Sequence, residues 1–158
     1  KKIQTDLNAT VLYVTHDQIE ATTMADRIGV LKEGVLTQVG TPQEIYDEPN
    51  SIYVANRLGS PKINIFENKQ IKNSQNNSAM YVGIRPEDIK IDKNGTYDVK
   101  IETTELLGAE TLVSFKSETI NGIILTQENV DVEEGERIKV EINNSKILYF
   151  DKEEQRIK

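Results

Sequence analysis

From Tyr97 to Phe150 apolar and polar side chains alternate with a period of two, and this pattern narrows the possible fold more than any other feature. Tyr97, Val99 and Ile101 alternate with Asp98, Lys100 and Glu102. Val113 and Phe115 alternate with Ser114 and Lys116, and Ile138, Val140 and Ile142 with Lys139 and Glu141. Ile147 to Phe150 closes the series. Successive side chains of a strand point to opposite faces, so each run forms a ribbon with one dry side. Turn signals fall at Asn94-Gly95, Asn121-Gly122, Glu134-Gly135 and Asn143-Asn144. Short strands joined by tight turns predict a small antiparallel barrel or sandwich. Leu107-Gly108-Ala109 reads as a β-bulge or bend within it.

The first 58 residues follow a different rule. Thr10-Val11-Leu12-Tyr13-Val14-Thr15 is a β-branched and aromatic run that predicts a buried, parallel strand. A helix is predicted near 17–27, with Asp17 as N-cap and Glu20 completing a capping box. Ala21, Met24, Ala25 and Ile28 give it a narrow apolar face. Ile28-Gly29-Val30-Leu31 and Val35 to Val39 flank Lys32-Glu33-Gly34 and predict a hairpin. Thr41-Pro42-Gln43-Glu44 is a second helix start, and Pro49 ends that helix. A further short helix is predicted over 51–58. Gly59-Ser60-Pro61 marks the expected boundary between an α/β unit, 1–58, and an all-β unit, 59–158. A polar loop without periodicity runs from Asn73 to Ser78.

Composition excludes several classes of function. With 19 basic against 26 acidic residues the chain carries a formal charge of −7. Such a surface disfavours non-specific binding of nucleic acid or anionic lipid. Aromatic residues are scattered rather than grouped into a stacking platform for single-stranded nucleic acid. There is no cysteine, hence neither a disulfide framework nor thiolate chemistry. No apolar stretch approaches the length that spans a bilayer. The opening Lys1-Lys2-Ile3-Gln4 has no initiator methionine and no signal-peptide core, so the chain is expected to be a trimmed piece of something longer. A sequon such as Asn8-Ala9-Thr10 carries little weight without a secretion signal.

His16 is the only histidine, and it directly follows the 10–15 run. Open α/β sheets bind ligands at the carboxyl ends of their strands, so this imidazole is the first candidate site residue. Arg85-Pro86-Glu87 is the second candidate. Pro86 fixes φ and opens a short helical turn, and Arg85 is expected to pair with a carboxylate. The acidic stretch 131–136 reads as a solvated turn rather than a cation site.

Taken in order, Val14-Thr15-His16-Asp17-Gln18, Glu20-Ala21, Ala25-Asp26-Arg27-Ile28, Gln38-Val39-Gly40-Thr41-Pro42, Glu44-Ile45-Tyr46 and Pro49 resemble the C-terminal end of an ABC transporter nucleotide-binding domain. Gly59-Ser60-Pro61-Lys62-Ile63-Asn64, Gly83-Ile84-Arg85-Pro86-Glu87 and Glu105-Leu106-Leu107-Gly108-Ala109-Glu110-Thr111 are similar to the carbohydrate-import subfamily, the maltose and multiple-sugar ATPases. The resemblance covers nearly the whole chain. It implies an α/β remnant of a nucleotide-binding domain over 1–58, followed by an OB-like (TOBE) regulatory domain over 59–158. It also implies that His16 contacts the γ-phosphate of ATP and helps orient the attacking water, in a full-length ATPase that uses ATP and Mg²⁺.

Further implications are a homodimer formed through the regulatory domain, with Arg85, Pro86 and Glu87 near a dimer or regulator contact, and membrane permease subunits as partners. The protein would be cytoplasmic and peripheral at the inner face of the membrane. The phosphate loop, the Leu-Ser-Gly-Gly-Gln signature and the strand ending in Asp-Glu are not in this sequence; the family carries them upstream. The fragment by itself is therefore expected to bind no ATP and to be inactive. The stretch between Phe66 and Val82 is shorter than in the family, which implies an abbreviated barrel. The alternative function is a binding module without enzymatic activity, in which the β unit takes a small ligand or a regulatory protein. A basic pocket for such a ligand is not evident beyond Arg85 and Lys62.

Overall fold

A computed structural model describes residues 9–127 and 130–157; the opening residues 1–4 and the sequon asparagine Asn8 lie outside them. The first described element is helix α1, Gln18–Met24. Asp17 caps it, its carboxylate accepting from the amides of Ile19 and Glu20. The predicted capping box closes only halfway, because Glu20 is engaged elsewhere: its Oε2 accepts from Thr15 Oγ1 at 2.6 Å and from the Tyr13 hydroxyl at 3.1 Å.

Strands β1, Ile28–Lys32, and β2, Val35–Gly40, form an antiparallel hairpin. Glu33 and Gly34 take φ of 51° and 82°, the consecutive left-handed pair that a two-residue hairpin turn requires. Helix α2, Pro42–Asp47, carries the complete predicted cap. The Glu44 amide donates to Thr41 Oγ1 at 3.2 Å and the Thr41 amide to Glu44 Oε2 at 2.8 Å. The Thr41 backbone amide, followed by its side chain, holds the Glu44 carboxyl below the usual carboxylate range. Helix α3, Ile52–Ala55, is capped by Ser51. Ile28 and Val30 pack on Ile45, Val54 and Leu58, and that small cluster is the core of this part.

Beyond Gly59 the chain is almost wholly β. Strands β3, Asn64–Glu67, β4, Tyr81–Ile84, β10, Leu148–Phe150, and β11, Arg156–Ile157, form a four-stranded sheet in the order β11-β10-β4-β3. Strands β5, Ile89–Ile91, β6, Tyr97–Leu106, β7, Thr111–Lys116, β8, Asn121–Thr126, and β9, Arg137–Ile142, form a five-stranded antiparallel sheet in the order β5-β9-β6-β7-β8. Its outer strands β5 and β8 approach one another, so the sheet is nearly closed into an OB-like barrel. The alternation predicted from sequence fills the interior: Tyr97, Val99, Ile101, Val113, Phe115, Ile124, Val140 and Ile142 are all buried in one core with Val82 and Ile84.

Edge strand β8 is closed by a side chain. The Asn64 amide faces Ile123 as a strand peptide would: Oδ1 accepts from the Ile123 amide at 2.7 Å, and Nδ2 donates to its carbonyl at 2.9 Å. Nδ2 also reaches the Ile84 carbonyl at 3.3 Å. One buried asparagine thus stitches the four-stranded sheet to the barrel. Gly122 makes the approach possible, since a Cβ there would lie 2.7 Å from Asn64 Oδ1.

Three local expectations are corrected. Residues 10–15 form no strand: Val11, Leu12, Tyr13 and Val14 are exposed, Leu12 at 91%, and no neighbouring strand among the described residues pairs with them. A β-branched run makes a parallel strand only when both faces are covered. The first helix stops at Met24 instead of reaching 27. Asn121-Gly122 lies inside β8, opposite Lys116 and Phe115, and the turn falls at 117–120, where Ser117 Oγ accepts from the Thr119 and Ile120 amides. The bend expected at 107–109 is present: Gly108, with φ of 79°, lies in the β6–β7 turn closed by the Leu107 amide on the Glu110 carbonyl, while a separate irregularity in β6 falls between Ile101 and Thr103.

Candidate functional site

The two sequence candidates, His16 and Arg85, stand in opposite environments. His16 is exposed at the end of the irregular 9–15 segment, just before the α1 cap. Among the described residues its ring has no hydrogen-bond partner. Its polar neighbours serve the helix start: the Asp17 amide donates to Thr15 Oγ1 at 2.9 Å, and Thr15 in turn bonds Glu20. Those neighbours include two carboxylates, Asp17 and Glu20. The described residues contain no group of three His, Cys, Asp or Glu placed to hold a metal ion. The residues around His16 therefore do not hold Mg-ATP by themselves.

Arg85 is buried, with 4% of its surface exposed. It sits just ahead of the short 3₁₀ turn Pro86–Asp88, on the barrel side of the chain. Its guanidinium reaches back across Gly59. Nη1 donates to the carbonyls of Leu58 at 2.7 Å and Ala55 at 3.1 Å, and Nη2 to the carbonyl of Tyr46 at 2.7 Å. Those carbonyls lie in or just beyond the last turns of α2 and α3, where helices leave acceptors unused. The guanidinium carbon also lies over the Tyr46 ring, 3.8 Å from its centroid. The Tyr46 hydroxyl donates to Glu87 Oε1, which fixes the third member of the motif. Burial, followed by that bond, pushes the Tyr46 hydroxyl above its ordinary range.

The expected Arg85–carboxylate pair does not form. Three backbone carbonyls take the place of the carboxylate, because the fork points at helix ends rather than at Glu87 or Asp88. Nε is buried without a partner among the described residues. Gly59 is part of the same clasp: its φ is 118°, and a Cβ there would lie 2.9 Å from Arg85 Nη1. Sequence reasoning singled out Arg85, Pro86 and Glu87 but missed Tyr46 as their partner. The contact spans 39 residues, and no local signal reports it. Lys62 is exposed and does not converge with Arg85 on a common pocket. The acidic 131–136 turn is solvated as expected, the Glu133 amide donating to Glu136.

Among the described residues no helix is long and apolar enough to cross a membrane. The TOBE domain family matches residues 82–150. The sn-glycerol-3-phosphate import ATP-binding protein UgpC of Psychromonas ingrahamii is 38% identical over 91% of this chain and 43% of its own length. The protein of the same name from Brucella abortus (strain 2308) is 42% identical over 72% of the chain and 36% of its own length. The oligosaccharides import ATP-binding protein MsmX of Bacillus subtilis is 33% identical over 96% of the chain and 50% of its own length. The chain thus spans half or less of the length of these relatives.

Proposed function

Because this chain belongs to the TOBE-bearing ATP-binding subunits of ABC importers, we propose that it is the part of such a subunit that joins the end of the nucleotide-binding domain, 1–58, to the regulatory domain, 59–158. In the whole protein it takes part in ATP-driven uptake of a polyhydroxylated solute, as the relatives' names, sn-glycerol-3-phosphate and oligosaccharides, suggest. The solute itself is selected by other subunits, since a fold does not carry specificity. The partners are permease subunits at the inner face of the membrane and a second copy of the subunit, paired through the TOBE region in a symmetric dimer.

The observation that carries this reading is continuity of likeness across Gly59. The Psychromonas and Bacillus proteins match at least 91% of the chain, so one family covers both the helix-capped first part and the barrel. The Arg85 clasp supplies a physical reason for the two to travel together. ATP and Mg²⁺ belong to the whole subunit: the chemistry they supply is phosphoryl transfer, and the groups of this chain do not hold them alone. His16 is assigned to the γ-phosphate side of that site. Replacing it by alanine in the full-length protein is expected to abolish ATP hydrolysis while circular dichroism and the unfolding midpoint stay unchanged. Turnover at the unmodified rate would overturn the assignment.

A further inference from the structure

Beyond β10 the backbone doubles back and meets the first part of the chain. The Asp151 amide donates to the Gln155 carbonyl at 2.9 Å, and the Gln155 amide donates to the Asp151 carboxylate at 2.8 Å, which closes the turn. Strand β11 then pairs with β10, Tyr149 opposite Ile157 and Phe150 opposite Arg156. Its other edge faces the start of α3. Gln155 and Ser51 form an antiparallel bridge; the Ile52 amide donates to the Glu154 carbonyl at 3.0 Å, and the Arg156 amide to the Asn50 carbonyl at 2.8 Å. Residues 151–157 are thus a strap with one edge on the four-stranded sheet and the other on the 50–52 segment.

The strap and the Arg85 clasp hold the two ends of one short helix. Arg85 takes the Ala55 and Leu58 carbonyls at the end of α3, and the strap takes Asn50 and Ile52 at its start. Ile52 and Ala55 pack on Ile63, Leu148 and Phe150 of the barrel side, whereas Val54 joins Ile28 and Ile45 in the small core. Asn50 passes the connection on. Its carbonyl serves the strap, while its backbone amide donates to Gln38 Oε1 at 2.8 Å and its side-chain amide to the Thr37 carbonyl at 2.7 Å, both on β2. A displacement of the strap therefore pulls on α3 and on the β1–β2 hairpin together.

The two attachments differ in how easily they let go. Arg85 is buried, whereas residues 152–155 are exposed and β11 has only two residues. Glu154 takes φ of 62°, a left-handed conformation that a residue with a Cβ disfavours. The half-buried Arg156 has no carboxylate within ion-pair distance among the described residues. Its guanidinium donates to the carbonyls of Tyr149 at 3.3 Å and Ile157 at 2.6 Å, within the ribbon itself. A segment held by a few exposed backbone bonds opens at a small fraction of the global unfolding free energy.

We propose that residues 151–157 are a releasable latch between the barrel and the first part of the chain. Closed, the latch fixes α3 and Asn50 to the four-stranded sheet, and the first part moves with the barrel. Open, the two are joined only by the Arg85 clasp and the apolar contact of Ile52 and Ala55 with the sheet, and their relative orientation loosens. The strap so sets whether a movement of the barrel is passed to the β1–β2 hairpin. This inference uses only the contacts of 151–157 and does not rest on the importer reading.

Amide exchange in the unmodified full chain gives the first test. Ile52 and Arg156 are expected to share one level of protection, lower by about tenfold or more than that of Ile101, whose amide is bonded to the Glu136 carbonyl in the barrel. A disulfide gives the second. Ser51 and Gln155 face one another between two flanking hydrogen bonds, and the Cα atoms of such a pair lie about 4.5 Å apart, within the reach of a disulfide. The chain has no cysteine of its own to interfere. Oxidised Ser51→Cys/Gln155→Cys is expected to slow exchange at Ile52 and Arg156 by about tenfold or more relative to the same protein reduced, with Ile101 unchanged. The third test reads the coupling. Spin labels on Glu33→Cys and Lys93→Cys, one on the hairpin turn and one on a barrel turn, are expected to give a broader distance distribution when Arg156→Pro removes the donor to Asn50. Ile52 and Arg156 as protected as Ile101, a disulfide that leaves both rates unchanged, or a distribution unaltered by Arg156→Pro would overturn the proposal. So would loss of Ile101 protection in Arg156→Pro, which would make the strap part of the barrel core.

Discussion

Removing the Arg85 guanidinium is expected to loosen the junction between the two parts of the chain more than any other single truncation of a polar side chain. The fork makes three bonds to carbonyls, at 2.7, 2.7 and 3.1 Å. Bonds to a charged group contribute about 1.5–3 kcal/mol each. Truncation to alanine also strips the cover from the Tyr46 ring. Against this, the mutation relieves the burial of a cation and of one unpaired Nε, which together cost a few kcal/mol. The balance is a loss of about 3–5 kcal/mol, a large share of a typical domain's stability. Urea unfolding followed by circular dichroism measures it. Arg85→Lys keeps the charge but not the planar fork, so about half of that loss is expected to remain. Limited proteolysis across 59–61 should quicken in both variants. A loss below about 1 kcal/mol in Arg85→Ala, with cleavage unchanged, would refute the claim that this side chain holds the two parts together.

Two further predictions concern the barrel. Asn64→Ala should destabilise the protein by about 2–3 kcal/mol, since Ile123 loses both side-chain partners of its peptide group, and should speed amide exchange at Ile123. Gly122→Ala should cost less in the Asn64→Ala background than in the parent, because the group it collides with is gone; strict additivity would count against the stitch. Burial, followed by the nearby Glu87 charge, raises the Asp88 carboxyl above its usual range. The folded state then holds its proton more tightly than the unfolded state. Stability from this group is therefore present at low pH and falls as pH rises through the ordinary carboxylate range to the raised value. Asp88→Asn should flatten that part of the stability–pH curve and leave the protein more stable near neutrality, as read from unfolding midpoints across pH.

Much of the β half was legible because a period of two is a local property. Once Tyr97, Val99 and Ile101 alternate with charges, no tertiary information is needed to say which face is dry. The Thr41 capping box was legible for the same reason, since all its groups lie within four residues. The 10–15 run misled because its pattern states what a strand would need without supplying the partners that cover it. Asn121-Gly122 misled because a glycine that serves a close approach looks in sequence like a glycine that serves a turn.

By itself the chain determined most element types, the main caps, the buried face of each ribbon and the motifs by which it resembles ABC import ATP-binding subunits. Only the tertiary structure decided that Arg85 meets helix-end carbonyls and that Asn64 closes a strand edge. The physical reason is range. Periodicity and capping act between neighbours along the chain, whereas a guanidinium's partners and an edge strand's last hydrogen bonds depend on contacts between segments far apart in sequence.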